Sequence, residues 1–142
     1  MKPEKSRTRW MRSASLLVGA LGLVVVTANA ASAQTIKTYG AYEGGGWGAW
    51  SQDPGTDQYG DATPGDSIQA CDSIADGWGI EVRLDIGRDG DIDRTVSTRG
   101  HSSFYCSAWK TGDIKEDTPI RMWVVKVKGD TSYHPVYWDG HA

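Results

Sequence analysis

The first 33 residues constrain this chain most, because they set how much of it folds and in which compartment. A basic start (Lys2, Lys5, Arg7, Arg9, Arg12) leads into an apolar run over residues 16–26, which ends in the small-residue triplets Ala28-Asn29-Ala30 and Ala31-Ser32-Ala33. That order of charged, apolar and small residues is the pattern of a secretory signal peptide. The apolar run is too short to remain in roughly 30 Å of hydrocarbon as a helix. Cleavage after Ala33 removes 33 of the 142 residues and leaves 109; a cut after Ala30 moves the start by three. No paired arginines precede the run, which favours the general export route. No Cys stands directly after the cleavage region, so a lipid anchor is not expected. The expected product is one soluble extracellular domain that does not enter a membrane.

A body of this size buries roughly two-thirds of its unfolded surface, so its core is modest and covalent reinforcement is useful. Cys71 and Cys106 are the only cysteines, and both lie in the exported part. In an oxidising compartment they are expected to pair. Closing a loop of about 36 residues stabilises by roughly 4 kcal/mol in the chain-entropy account. Two cysteines alone are too few for a zinc site. Loss of the leader also takes five Lys/Arg and one Glu, so that 15 basic and 18 acidic residues become 10 and 17, a net charge of −7. Such a body lacks the basic footprint that nucleic acids and anionic membranes require.

The exported part divides near Asp66. Residues 34–66 are rich in Gly, Tyr, Trp and Asp and read as a partly flexible N-terminal segment; residues 67–142 carry most of the Val, Ile and Leu and read as the folded core. No window sustains the helical i, i+3, i+4, i+7 spacing, whereas alternation by two is clear. Over residues 78–86, Ile80, Val82, Leu84 and Ile86 share one face and Glu81, Arg83 and Asp85 the other. The Asp89-Gly90 turn then leads to residues 92–98, with Ile92 and Val96 in phase, which is a hairpin signal. A third strand is expected over 102–109, with Phe104, Cys106 and Ala108 inward and Tyr105 and Trp109 outward. A fourth spans 120–128, with Trp123, Val125 and Val127 on one face and Lys126 and Lys128 turned to water. Met122 and Val124 make both faces apolar at its start, which predicts a central position. A fifth spans 132–138, where Pro135 cannot donate a ladder hydrogen bond and so predicts an edge. Short strands are also expected over 67–71 and 36–42. Together these predict a small antiparallel β-sandwich, immunoglobulin-like in outline, with a small β-barrel as the alternative. The cysteines would fall on different strands and staple the two sheets, with Trp78 or Trp123 packed on the bridge.

The stretch Ala70-Cys71-Asp72, then Ala75-Asp76-Gly77 with Gly79, then Tyr105-Cys106 with Trp109, resembles a group of uncharacterised small secreted proteins from filamentous actinobacteria. The resemblance covers residues 67–138. It implies an export leader, a cysteine pair and a compact β-rich body, and it brings no known activity or catalytic residue.

Chemistry-bearing patterns are few. Gly65-Asp66-Ser67 echoes a serine-esterase block. A nucleophilic Ser needs a base within hydrogen-bond reach, however, and no motif surrounds His134 or His141. The plain reading is a turn tied by Asp66 or Ser67. Asp85, Asp89, Asp91 and Asp93 form a dense acidic run with a Gly bend, the kind of oxygen supply calcium uses. Read as a calcium loop, the run has Gly87 and Val96 where ligands belong, so a solvated hairpin tip is the simpler reading. His101, His134 and His141 show no zinc spacing. No cofactor is implied.

The aromatic residues are more suggestive. Tyr and Trp join apolar area to a polar handle, which suits binding surfaces. Trp47 and Trp50 sit among Gly44, Gly45, Gly46 and Gly48, where glycines leave rings uncovered. Tyr39, Tyr42, Trp47, Trp50, Tyr105 and Trp109 are therefore the candidate ligand-binding residues. The function expected is a secreted, non-catalytic binding module for an extracellular polymer or protein, such as a glycan or cell-wall component. The alternative is a secreted antagonist, either a protease inhibitor or an antimicrobial protein.

Overall fold

The computed structural model describes residues 35–142; the leader over residues 1–33 lies outside the described residues. Ten strands follow in order: β1 (Ile36–Gly40), β2 (Gly46–Ser51), β3 (Gly55–Thr56), β4 (Ala62–Thr63), β5 (Ser67–Asp72), β6 (Gly79–Ile86), β7 (Arg94–Ser97), β8 (Tyr105–Cys106), β9 (Pro119–Lys128) and β10 (Thr131–His141). They form two four-stranded antiparallel sheets, β1-β2-β5-β8 and β10-β9-β6-β7, plus the small β3–β4 hairpin. The sheets remain separate rather than closing into a barrel, so the sandwich is the architecture.

The core follows from the alternation. Ile80, Val82 and Leu84 of β6 point inward, as do Ile120, Met122 and Val124 of β9, and all six are at most 1% exposed. They pack against Trp50 of β2 and Ile68 and Ala70 of β5. Burial of each such aliphatic side chain contributes about 1.5–3 kcal/mol before the entropy of ordering. β9 is central and β10 is an edge, as the apolar run and Pro135 predict. The β10–β9 register shifts between Tyr133 and Val136, which places the proline in a bulge where its missing N–H costs no ladder bond.

The phase of β9 differs from expectation. The inward face carries Ile120, Met122 and Val124, and Trp123 points outward, where its ring lies 4.9 Å from that of Tyr137; Val125 and Val127 are buried as expected, whereas Lys126, expected in water, is largely covered and paired with Asp76. Both faces of β9 are apolar, so the sequence leaves the choice to the neighbour: Met122 and Val124 pair with Leu84 and Val82, whose inward phase is unambiguous.

The glycine-rich segment supplies β1 and β2 of the first sheet, and β2 is a central strand. Gly46 and Gly48 occupy inward positions. A Cβ on Gly48 would stand 2.7 Å from methyls of both Val82 and Val124, and one on Gly46 would stand 2.5 Å from Ile80. These glycines permit close approach of the two sheets, and the turn before them uses positive φ at Gly44 and Gly45. Composition alone cannot separate glycine that lets surfaces approach from glycine that lets a chain wander.

The other differences lie at element ends. The second arm of the hairpin is only β7, and Ile92 is 44% exposed in the turn. The strand expected over 102–109 shrinks to the two residues of β8, and Phe104, expected inward, is 68% exposed. Cys71 and Cys106 form the disulfide, but they are directly paired neighbours on β5 and β8 of one sheet. The bridge therefore ties an edge strand to its neighbour instead of joining the sheets. It is Trp47 that stands opposite Cys71 in the β2–β5 register; Trp78 and Trp123 belong elsewhere.

Candidate functional site

The expected aromatic platform separates into core and surface. Trp50 is 1% exposed in the centre of the sandwich and unavailable to a ligand. Tyr39 is half-buried, packed on the core and stacked on Trp138 at 5.3 Å. These two rings close the seam between edge strands β1 and β10, and burial pushes the Tyr39 phenol above its ordinary value. Trp138 lies flat because Gly140 offers no side chain beneath it; a Cβ there would stand 2.0 Å from the ring. Trp109 is half-buried on a segment that bridges to Ile68 through Lys110.

The remaining candidates, Tyr42, Trp47 and Tyr105, belong to ring clusters next to an open cleft of about 540 Å³ at one end of the sandwich, and none of the three lines it. Its walls are built by the β5–β6 loop with Trp78, the β7–β8 loop with Arg99 and His101, and the end of β9 with Lys128. Tyr105 stacks on His101 at 3.7 Å. Beyond them, Trp47 packs beside exposed Phe104 at 5.8 Å. On the opposite flank, Trp78 contacts Tyr133 at 5.7 Å. The cluster continues through His134 to Tyr42, with His134 and Tyr42 stacked at 4.6 Å.

Side chains hold these loops in shape. Asp72 accepts the Ile74 N–H at 3.1 Å and Asp76 accepts the Trp78 N–H at 2.9 Å, two Asx turns that replace missing ladder bonds. The Trp78 N–H holds the Asp76 carboxyl below its ordinary range against the opposing effect of burial, and Lys126 at 3.4 Å adds to the lowering. Buried Thr98 accepts the Ile80 N–H at 2.8 Å, and its carbonyl accepts the His101 N–H at 3.2 Å. Arg99 is anchored by Glu81 at 3.2 Å and by the Gly129 carbonyl. Trp78, Arg99, His101, Lys128 and Tyr133 were not expected as a group. The sequence signals for them are slight: Asp-Gly-Trp before a strand, and lysines in the inward phase of β9.

The other patterns have structural uses. The buried Ser67 hydroxyl donates to the Pro64 carbonyl at 2.7 Å, and Asp66 accepts the Ile114 N–H at 2.9 Å, so the esterase-like block is a tied turn. The acidic run closes its own hairpin. Asp85 accepts the Asp89 and Gly90 N–H groups at 3.1 and 3.0 Å, Asp89 accepts that of Asp91 at 3.0 Å, and Asp93 accepts that of Ile86 at 2.6 Å. Among the described residues no three His, Cys, Asp or Glu side chains gather as metal ligands. His141 ends β10 and is exposed.

Outside the cleft, the outer face of the second sheet carries a polar ladder. Arg121 grips Asp139 through two hydrogen bonds of 2.6 and 2.8 Å and lies 4.4 Å over the Tyr137 ring. That hydrogen-bonded pairing holds the Asp139 carboxyl below its usual range. No helix among the described residues is long and apolar enough to cross a membrane. Comparison with known protein families, curated proteins and solved structures finds no match.

Proposed function

We propose that this chain is a secreted, non-catalytic binding module whose ligand, an extracellular glycan or cell-wall polymer, seats in the cleft at the loop end of the sandwich. The observation that carries this reading is the ring of Trp78. It stands on the wall of a 540 Å³ cleft, on a loop fixed by two carboxylate-capped turns. A concave site with a rigid aromatic wall and convergent polar groups is what a small binding module offers. A disulfide in a small body supports the extracellular setting. The dedication of Ser67 and the hairpin aspartates to backbone hydrogen bonds supports a binding role over a hydrolytic one.

The test is co-sedimentation of the exported form, starting at Gln34 or Ala31, with insoluble cell wall and polysaccharides. Retention by wild type and loss in Trp78→Ala is the expected result. Full retention of Trp78→Ala would remove the cleft from the binding site. A second reading as a secreted antagonist draws on Phe104, 68% exposed just before the disulfide anchor at Cys106, a geometry that presents a ring to a protease pocket. Inhibition of a protease panel that disappears in Phe104→Ala would favour it.

A further inference from the structure

The cleft sets a lysine without an ion pair beside an indole ring on an acidic body, and we infer that its ligand is an acidic polysaccharide, a sugar unit bearing a carboxylate, sulfate or phosphate. The inference rests on the binding-module reading and adds the charge of the ligand. Residues 34–142 hold 10 Lys/Arg and 17 Asp/Glu, yet of the two Lys/Arg side chains lining the cleft, Arg99 and Lys128, Arg99 is paired with Glu81 and Lys128 is left without an ion pair among the described residues, beside the single lining carboxylate of Asp72. Asp72 is 4% exposed and turned into its own loop, where it accepts the Ile74 N–H.

β9 supplies the cation by a change of use along one face. Ile120, Met122 and Val124 fill the core; two and four residues later the same face emerges from the sandwich as Lys126 and Lys128. Lys126 is neutralised by Asp76. Lys128 forms no ion pair among the described residues, and its ammonium lies 5.7 Å over the Trp78 ring. Asp130, in the adjoining turn, is exposed. An ammonium beside an indole ring is the pairing that an acidic sugar needs: the apolar ring face of the sugar packs on Trp78, and its anionic substituent meets Lys128. A cation kept without an ion pair costs little in water but attracts an anion more strongly inside a concave wall.

The experiment compares polygalacturonate with its fully methyl-esterified form, which keeps the backbone and removes the charge. Dextran sulfate, glycerol-phosphate teichoic acid and inorganic polyphosphate separate the sources of negative charge. We expect binding to polygalacturonate, or to one of the acidic glycans, that is at least tenfold tighter than to the esterified polymer and weakens with added salt. Lys128→Gln should lose about tenfold in affinity, while Lys115→Gln, remote from the cleft, should bind as wild type. Circular dichroism confirms that each variant folds. Equal affinity for the charged and esterified polymers, or wild-type binding by Lys128→Gln, overturns the inference and leaves the module reading standing. Polyphosphate binding as tight as that of the acidic glycans, and unaffected by Trp78→Ala, also overturns it, because charge alone would then suffice. Failure to bind any glycan, charged or neutral, defeats both.

Discussion

Gly48→Ala tests whether the glycines of β2 exist for close packing. In an extended strand with open space, Gly→Ala stabilises by about 0.4–1 kcal/mol because the unfolded chain loses conformations. At Gly48 the added methyl would stand 2.7 Å from a methyl of Val82 and 2.7 Å from a methyl of Val124, both on side chains with no exposure. Carbon atoms prefer about 3.5–4.0 Å, so the two sheets must part locally by about 1 Å or the valines must leave their rotamers. Overpacking of this kind costs about 1–3 kcal/mol; with two fully buried obstacles the upper part of that range applies, and the net loss should be about 2 kcal/mol. For a domain of this size that lowers the melting temperature by about 8 °C. Gly40, on the neighbouring strand, meets nothing within 4 Å, so Gly40→Ala is the matched control and should be neutral or slightly stabilising. Urea unfolding followed by tryptophan fluorescence reads both. Adding Val82→Ala to Gly48→Ala removes one obstacle and should recover about 1 kcal/mol relative to the sum of the single changes. Equal stability of Gly48→Ala and Gly40→Ala would refute the packing account.

Two further outcomes follow from the same geometry. Replacing Cys71 and Cys106 by Ser should lower the unfolding free energy by about 4 kcal/mol and speed amide exchange first at β8, which is held to β5 by only two paired positions; an unchanged urea midpoint would count against the bridge as a stabilising tie. Tyr39 has a raised phenol pKa through burial, so its contribution is complete below the ordinary tyrosine value of about 10 and is lost as pH rises through the folded value. Tyr39→Phe should therefore lose less stability than wild type above about pH 10, and identical alkaline losses in the two proteins would sink the seam role.

Legibility in the sequence varied with how many side-chain choices local pattern constrains. β6 was readable because Ile80, Val82 and Leu84 alternate with charged residues, and a pleated strand has only two faces. β10 was readable as an edge from Pro135. The cysteine pairing was readable because two cysteines have one partner each, yet its position was not: whether a bridge joins sheets or neighbours depends on strand order, which no short window contains. Trp50 and Trp47 are three residues apart in one glycine-rich stretch, and one lies in the core while the other lies outside. Their fates follow from opposite parity in β2, a strand whose existence the glycines concealed. The cleft was least legible, because Trp78 and Arg99 come from two connections and Lys128 from the end of β9, and these meet only when the strands are assembled.

Alternation, proline and cysteine content were enough to establish an all-β body of antiparallel strands with one disulfide, since each acts within a few residues or across a single bond. Strand order, the inward phase of β9, the close approach at Gly48 and the gathering of rings and cations at one end came from the packing of the two sheets. Those features depend on contacts between residues distant in the chain, and the free energy that selects them belongs to the shared core rather than to any one segment.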